Sequence, residues 1–138
     1  MRVTVLTVGR IKPPFAAAQE HYLKMLGTRL RVEVVEVREE SKLAGRIDRE
    51  SRLVCLDGRG SMMDSVEWSG WLDRRRLDAK DVVIVVGGPT GLPDEALERA
   101  DEVISLGPQT IAHQLARVVL LEQLFRASKI LAGEPYHL

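Results

Sequence analysis

The stretch Gly87-Gly88-Pro89-Thr90-Gly91-Leu92-Pro93 places three glycines within five residues, directly after Val82 to Val86. Five consecutive β-branched residues fit a parallel strand covered on both faces. The loop at its carboxyl end is where open α/β sheets bind ligands. Backbone without side chains can approach a ligand closely and turn amides or carbonyls into it, although a tight βα turn is a second use of the same glycines. The loop lacks the G-x-x-x-x-G-K-[ST] order and does not spell G-x-G-x-x-G, which argues against a nucleoside triphosphatase. Gly58-Arg59-Gly60 opens a partial G-x-G, but Met63 stands where the third glycine belongs, a match that chance explains. Leu106-Gly107-Pro108-Gln109-Thr110-Ile111 repeats the Gly-Pro device ahead of a final helix. With the Leu56 to Gly60 turn as a third wall, these segments suit a flat, largely uncharged group such as adenine, and a nucleoside better than a nucleotide.

Metal and disulfide chemistry find no support. His21, His113 and His137 have no ligand spacing, and Cys55 is the single cysteine, so no metal and no intrachain disulfide are expected. A lone cysteine suits a reducing cytoplasm. Lys plus Arg number 20 and Asp plus Glu number 20, so any nucleic-acid partner must be met by a local patch rather than a global field. The strong apolar runs, Val82 to Val86 and Val118 to Leu121, are far shorter than the roughly 20 residues that cross a bilayer, so no membrane partner is expected. Val3 to Val8 reads as a strand and not as a secretory signal.

The elements that must position these loops follow from hydrophobic period. The 138 residues, 45% apolar and 29% charged, fit one globular domain spanning 1–138. Val3 to Val8 is a first strand closed by Gly9. Phe15, Ala18, Tyr22, Met25 and Leu26 share a helical face, with Gly27 as cap. Val32 to Val37, interleaved with Glu33 and Glu36, is predicted to be an edge strand. Arg38 to Arg52 is a short helix or a mobile connection, with Leu43, Ala44 and Ile47 as its candidate anchors. Leu53 to Asp57 is a third strand, ended by Gly58 to Ser61. A helix capped by Asp64 runs to Arg76, with Trp68, Trp71, Leu72 and Arg75 on one stripe. Val82 to Val86 is the central strand, Asp94 to Ala100 a helix, Val103 to Leu106 a fifth strand, and Ile111 to Leu131 a long helix ended by Gly133. The alternation predicts an α/β fold: a mostly parallel sheet with helices on both faces. The final helix carries an apolar band wider than one core-facing stripe needs, so part of it is expected to meet a second subunit.

Several ordered motifs together resemble a known family. They are Val8-Gly9-Arg10-Ile11-Lys12, Val85-Val86-Gly87-Gly88-Pro89-Thr90-Gly91-Leu92, Ser105 to Val118, Leu121-Glu122-Gln123-Leu124-Phe125-Arg126-Ala127 and Gly133-Glu134-Pro135-Tyr136-His137. Spread over nearly the whole chain, they look like the bacterial 23S rRNA pseudouridine-N3 methyltransferases of the SPOUT class. The resemblance implies a C-terminal trefoil knot, a homodimer, S-adenosylmethionine as cofactor, and a pseudouridine of 23S rRNA in the assembled ribosome as substrate. General topology rules would not have suggested a knot. Carried onto this chain, the family's cofactor contacts fall on Leu56, Gly87, Leu106, Gly107, Pro108, Gln109, Thr110 and Ile111.

For catalysis the resemblance points to His137 as proton acceptor or as the group orienting the base, to Tyr136 as a stacking or hydrogen-bonding partner, and to Arg117 as electrostatic support for an anionic ring. His113 is expected to fix the loop beneath the cofactor. Arg10, Lys12, Arg117, Arg126 and Lys129 are candidate phosphate contacts. The chain departs from the family pattern twice. Leu138 stands where a basic residue commonly follows Tyr-His, and Arg38 to Arg52 is shorter than the corresponding charged segment. A noncatalytic ribosome-binding factor that keeps the cofactor fold is the alternative reading, and a small nucleotide-binding regulator a further one.

Overall fold

The computed structural model describes residues 1–137. Five strands form one parallel sheet: β1 (Arg2–Val8), β2 (Arg31–Val37), β3 (Arg52–Met62), β4 (Val82–Val86) and β5 (Glu102–Ser105), in the order β2-β1-β4-β3-β5. Four helices accompany them: α1 (Phe15–Leu26), α2 (Ser65–Asp78), α3 (Asp94–Arg99) and α4 (His113–Ala132). The pleat of β4 explains its uninterrupted apolar run. Val82, Ile84 and Val86 join one core with Trp68, Trp71 and Leu72 of α2 and Leu120, Leu121 and Leu124 of α4. Val83 and Val85 join the other with Leu43 and Ala96 of α3. Three helices therefore cover one face, while α3 and two single 3₁₀ turns cover the opposite one.

β4 is central and β2 is an edge, as the charge pattern predicts. Of the two readings of Arg38 to Arg52, the short helix is the nearer, in 3₁₀ rather than α form. The segment holds 3₁₀ turns at Glu40–Lys42 and Ala44–Arg46, pinned by buried Leu43 and half-buried Ile47, while Ala44 is exposed. The third strand does not end at Gly58. It continues to Met62, with Leu56 and Ser61 both opposite Ile104 and the residues between them bulged out. Gly60 makes this possible, because a Cβ there would stand 2.5 Å from the Val103 carbonyl carbon and oxygen. The glycine that read as a turn signal is thus a point of backbone crossing. α4 starts at His113 rather than Ile111, leaving Ile111 and Ala112 in the loop.

The start of α2 is set by a reciprocal pair: the Glu67 amide donates to Asp64 Oδ1 at 2.8 Å, and the Asp64 amide donates to Glu67 Oε1 at 3.2 Å. Asp64→Ala removes one half of that capping box. The expected loss is about 1 kcal/mol, seen in calorimetry as a Tm lower by about 4 °C. No helix among the described residues is long and apolar enough to cross a membrane.

Candidate functional site

Every strand runs the same way, so the bulge of β3 and the loops leaving β4 and β5 gather at one end of the sheet. There they enclose a cleft of about 590 Å³. All eight residues expected to hold a cofactor line it: Leu56, Gly87, Leu106, Gly107, Pro108, Gln109, Thr110 and Ile111. His113 lines it too, at the first turn of α4. The three predicted walls meet because β3 lies between β4 and β5.

Backbone geometry dominates this cleft. The Gly91 amide donates to the Gly88 carbonyl at 3.0 Å and folds the first loop onto itself. Gly87 is needed for space, since a Cβ there would lie 2.7 Å from the Gly91 carbonyl carbon and 2.9 Å from its oxygen. Gly91 (φ +83°) and Gly107 (φ +138°) are needed for conformation. Ser105 holds the second loop: its buried hydroxyl donates to the Gly107 carbonyl at 2.9 Å and accepts from the Gly107 amide at 3.1 Å.

Asp57 is a lining residue that the motifs did not single out. A side-chain hydrogen bond from Arg59 (Nε to Oδ1, 2.8 Å) holds its carboxyl below the usual range, so it stays an ionised acceptor. Next to it Cys55 is buried, and desolvation, with the Asp57 charge, pushes its thiol up to about 11. It is protonated at neutral pH and suited to packing rather than nucleophilic attack. Among the described residues no group of acidic, His or Cys side chains could hold a metal ion.

The expected catalytic residues are not brought to the cleft within one chain. Arg117 is 1% exposed. Its guanidinium donates to Glu36 Oε2 at 2.8 Å, to the Gly9 carbonyl at 2.8 Å and to the Thr7 hydroxyl. Burial pulls its pKa down and Glu36 pushes it back up. With those bonds made, its guanidinium lies away from the cleft lining. Its task here is to join α4 to β1 and β2.

Tyr136 and His137 lie at the far end of α4. The Tyr136 ring meets Phe125 edge-on at 4.8 Å, beneath the Arg126 guanidinium at 4.7 Å, and desolvation raises its pKa. Arg126 Nη1 lies 3.1 Å from His137 Nδ1. Thirteen residues of helix separate His113 from Arg126, about 20 Å at 1.5 Å per residue. An imidazole cannot span that distance. Leu138 lies outside the described residues.

Glu134 anchors the segment leading to Tyr136 and His137. It accepts from Arg29 Nη1 at 3.0 Å and Lys129 Nζ at 2.8 Å, and these hydrogen bonds, Arg29 first, lower its carboxyl from 4.5 to about 2. A depressed carboxyl stabilises the folded state fully above its unfolded pKa, and the contribution is lost as pH falls through the folded one. The Tm of the native chain should therefore exceed that of Glu134→Gln above pH 4.5. The gap should close as pH falls toward 2 in acid melting curves.

Of the five candidate phosphate contacts, Arg117, Arg126 and Lys129 are each engaged with a carboxylate: Glu36, Glu122 and Glu134. Arg10 and Lys12 are exposed and have no ion-pair partner among the described residues.

Residues 1–137 match the family model described as "Predicted SPOUT methyltransferase". The chain is 43% identical over 152 aligned positions to the ribosomal RNA large subunit methyltransferase H of Anaeromyxobacter sp. (strain K), covering 99% of each chain. It is 33% identical to the protein of the same name from Thermotoga neapolitana, again over 99% of each. An alignment of 152 positions on a chain of 138 residues means that the Anaeromyxobacter protein carries residues this one lacks. Among solved structures, a probable methylase family protein from Haemophilus influenzae superposes with a TM-score of 0.63 at 13% identity, covering 99% of this chain and 70% of that one. The SpoU methyltransferase AviRb from Streptomyces viridochromogenes, solved in complex with AdoMet, does so with a TM-score of 0.57 at 12% identity, covering 96% and 59%. At such identities the structural likeness speaks for the fold.

Proposed function

The chain belongs to the SPOUT methyltransferase family, and from that premise we propose that it methylates N3 of a pseudouridine in the 23S rRNA of the assembled ribosome, with S-adenosylmethionine as donor. The observation that supports this reading is that the eight contact residues implied by the resemblance, drawn from three separate segments, line one cleft. Its volume falls within the roughly 300–1,000 Å³ usual for small-ligand sites. Its lining of glycine backbone, Leu56, Leu92, Leu106 and Ile111 fits a neutral adenine, and the ionised Asp57 fits hydroxyl donors. Leu56, Gly87 and the Leu106 to Ile111 loop would hold the donor. Bound there, S-adenosylmethionine supplies a methyl group activated by sulfonium.

The separation of the cleft from the Tyr136-His137 tail, about 20 Å along α4, supports a homodimer in which each cleft is completed by the partner's tail. The outer stripe of α4 supports it as well, with Leu115 exposed at 40% and Val118 and Val119 half-buried. The trefoil threading of the family is part of the same proposal. The pairing of β5 with β3 on both sides of the bulge, ahead of loop 106–112, is in keeping with it.

Arg126 has hydrogens to donate and no lone pair to offer, so His137 Nδ1 accepts from it and the neutral ring carries its proton on Nε2. That tautomer favours the orienting role. Nε2–H donates to a base oxygen and stabilises the negative charge that develops as N3 loses its proton to solvent. Tyr136 presents a ring and a hydroxyl beside it. His137→Ala should lower turnover at least tenfold while the affinity for S-adenosylhomocysteine, measured by calorimetry, stays within twofold. His137→Gln, which keeps a donor, should retain more activity than the alanine variant.

The reading as a whole is tested by incubating the protein with labelled S-adenosylmethionine and either whole ribosomes or free large subunits. Label should enter 23S rRNA, and mass spectrometry should place it on one pseudouridine. Donor binding without any transfer would indicate a noncatalytic ribosome factor instead.

A further inference from the structure

The loop from Gly9 to Lys12, between β1 and α1, has main-chain groups that are held by side chains at four successive residues. Arg117 donates to the Gly9 carbonyl at 2.8 Å. Gln114 Nε2 donates to the Arg10 carbonyl at 3.1 Å, while Gln114 Oε1 accepts from the Lys12 amide at 3.0 Å. Glu36 Oε2 accepts from the Ile11 amide at 2.9 Å and takes the Arg117 Nη1 hydrogen at 2.8 Å. One α4 side chain thus grips the loop from both directions, and the ion pair between buried Arg117 and exposed Glu36 grips it again.

Two observations place this loop on the rim of the cleft. Gln114 follows the lining residue His113 on the first turn of α4. On the other side, a Cβ on the lining residue Gly88 would come within 3.2 Å of Val8 Cβ, so the end of β1 abuts the glycine loop. A connection needs no such clamp merely to join a strand to a helix, since exposed loop amides are satisfied by water. What the clamp fixes is the origin of two exposed cations, Arg10 and Lys12, which have no internal carboxylate to neutralise them among the described residues.

We propose that Gly9 to Lys12 is a preorganised contact for RNA phosphates beside the methyl-transfer cleft, and that Gln114, with Arg117 behind it, is the positioning residue that holds it. The inference rests on the rRNA reading above and adds how a chain of zero net charge grips a polyanion. Two cations held at fixed spacing lose less conformational freedom on binding than the same two on a floppy loop. Their contribution falls with salt, because each phosphate contact releases a counterion.

The test is the binding of purified large ribosomal subunits, measured by co-sedimentation over a salt series, for native protein saturated with S-adenosylhomocysteine and for three variants. The Arg10→Ala/Lys12→Ala double variant should weaken binding roughly tenfold or more and reduce the slope of log K against log salt by about 2. Gln114→Ala removes an exposed-loop clasp and no core atom, so its Tm and its S-adenosylhomocysteine affinity should match native, while subunit binding weakens about three- to tenfold. The triple variant should bind no worse than the double, because Gln114 acts only through the two cations. Hydrogen exchange at the Lys12 amide should rise in Gln114→Ala. Unchanged subunit affinity in Gln114→Ala, or losses that add in the triple variant, would overturn the positioning role. Native protein that binds subunits in this cation-dependent way but transfers no methyl group would support the clamp while removing the methyltransferase reading.

Discussion

Alanine at Gly87 is expected to abolish useful binding of the methyl donor. The added Cβ meets three backbone atoms, Gly91 C at 2.7 Å, Gly91 O at 2.9 Å and Leu92 N at 3.0 Å, and none of them is the far end of a flexible side chain. The loop must open or shift as a unit, and its amides and carbonyls move with it. Overpacking of this kind destabilises by about 1–3 kcal/mol, which a domain with about 5–15 kcal/mol of stability survives. The affinity for S-adenosylhomocysteine should fall more than tenfold in a chain that still melts cooperatively. Gly91→Ala should do less, because nothing lies within 4 Å of the new Cβ there and only the positive φ resists it. A Gly87→Ala chain that binds as tightly as native would mean that the cleft is not the donor site.

The same variant tests the shared site. Gly87→Ala spoils the cleft and spares the tail, and His137→Ala does the reverse. Each alone should be nearly inactive. Refolded together as a mixture, they should recover about a quarter of native activity, since half the dimers are mixed and each mixed dimer holds one intact cleft facing one intact tail. No recovery would mean that the tail serves its own chain's cleft.

Arg117→Met should produce the largest loss of stability of any single change considered. It removes a buried guanidinium and leaves the buried Thr7 hydroxyl, the Gly9 carbonyl and the exposed Glu36 carboxylate without their donor. Leaving a buried polar group such as the Thr7 hydroxyl without its partner costs about 1–3 kcal/mol, and the lost packing of the guanidinium adds to it. Arg117→Lys should recover part of this, because an ammonium can reach Glu36 but lacks the planar fork that serves three acceptors. Arg117→Met/Glu36→Gln should match Arg117→Met, since the exposed Glu36 carboxylate is hydrated without its partner. Urea unfolding midpoints compare the three. A Met variant with native stability and lost methyl transfer would return Arg117 to the substrate-facing role that the family resemblance implies.

Much of the molecule follows from local pattern. The β-branched run of β4, the charged edge of β2, the Trp68, Trp71, Leu72 stripe of α2 and the Gly27 and Gly133 ends of α1 and α4 are consequences of chain-neighbour spacing. Two of the three cleft walls were legible for a related reason: a Gly-Pro loop directly after a strand has to sit at the carboxyl end of a parallel sheet. Gly60 was not legible in this way. Its neighbours spell a turn, and the cause of the glycine, the Val103 backbone, is 43 residues away in sequence.

The roles of charged and polar side chains depend on partners that no local window contains. Arg117 looks like any basic residue of a long helix, yet it is buried against Thr7 and Gly9. Gln114 carries no signal at all, since its two partners are backbone groups more than 100 residues earlier. The sequence by itself determined the parallel α/β frame and the backbone-lined cleft, because hydrophobic period and glycine placement act between near neighbours and at strand ends, and its ordered motifs carried the family resemblance. The tertiary structure alone decided which cations stay free, which are spent inside, and that the tail stands an α4 length from the cleft. A charge acquires its function from whichever opposite charge or carbonyl the folded chain brings within about 3 Å, and long-range packing sets that distance.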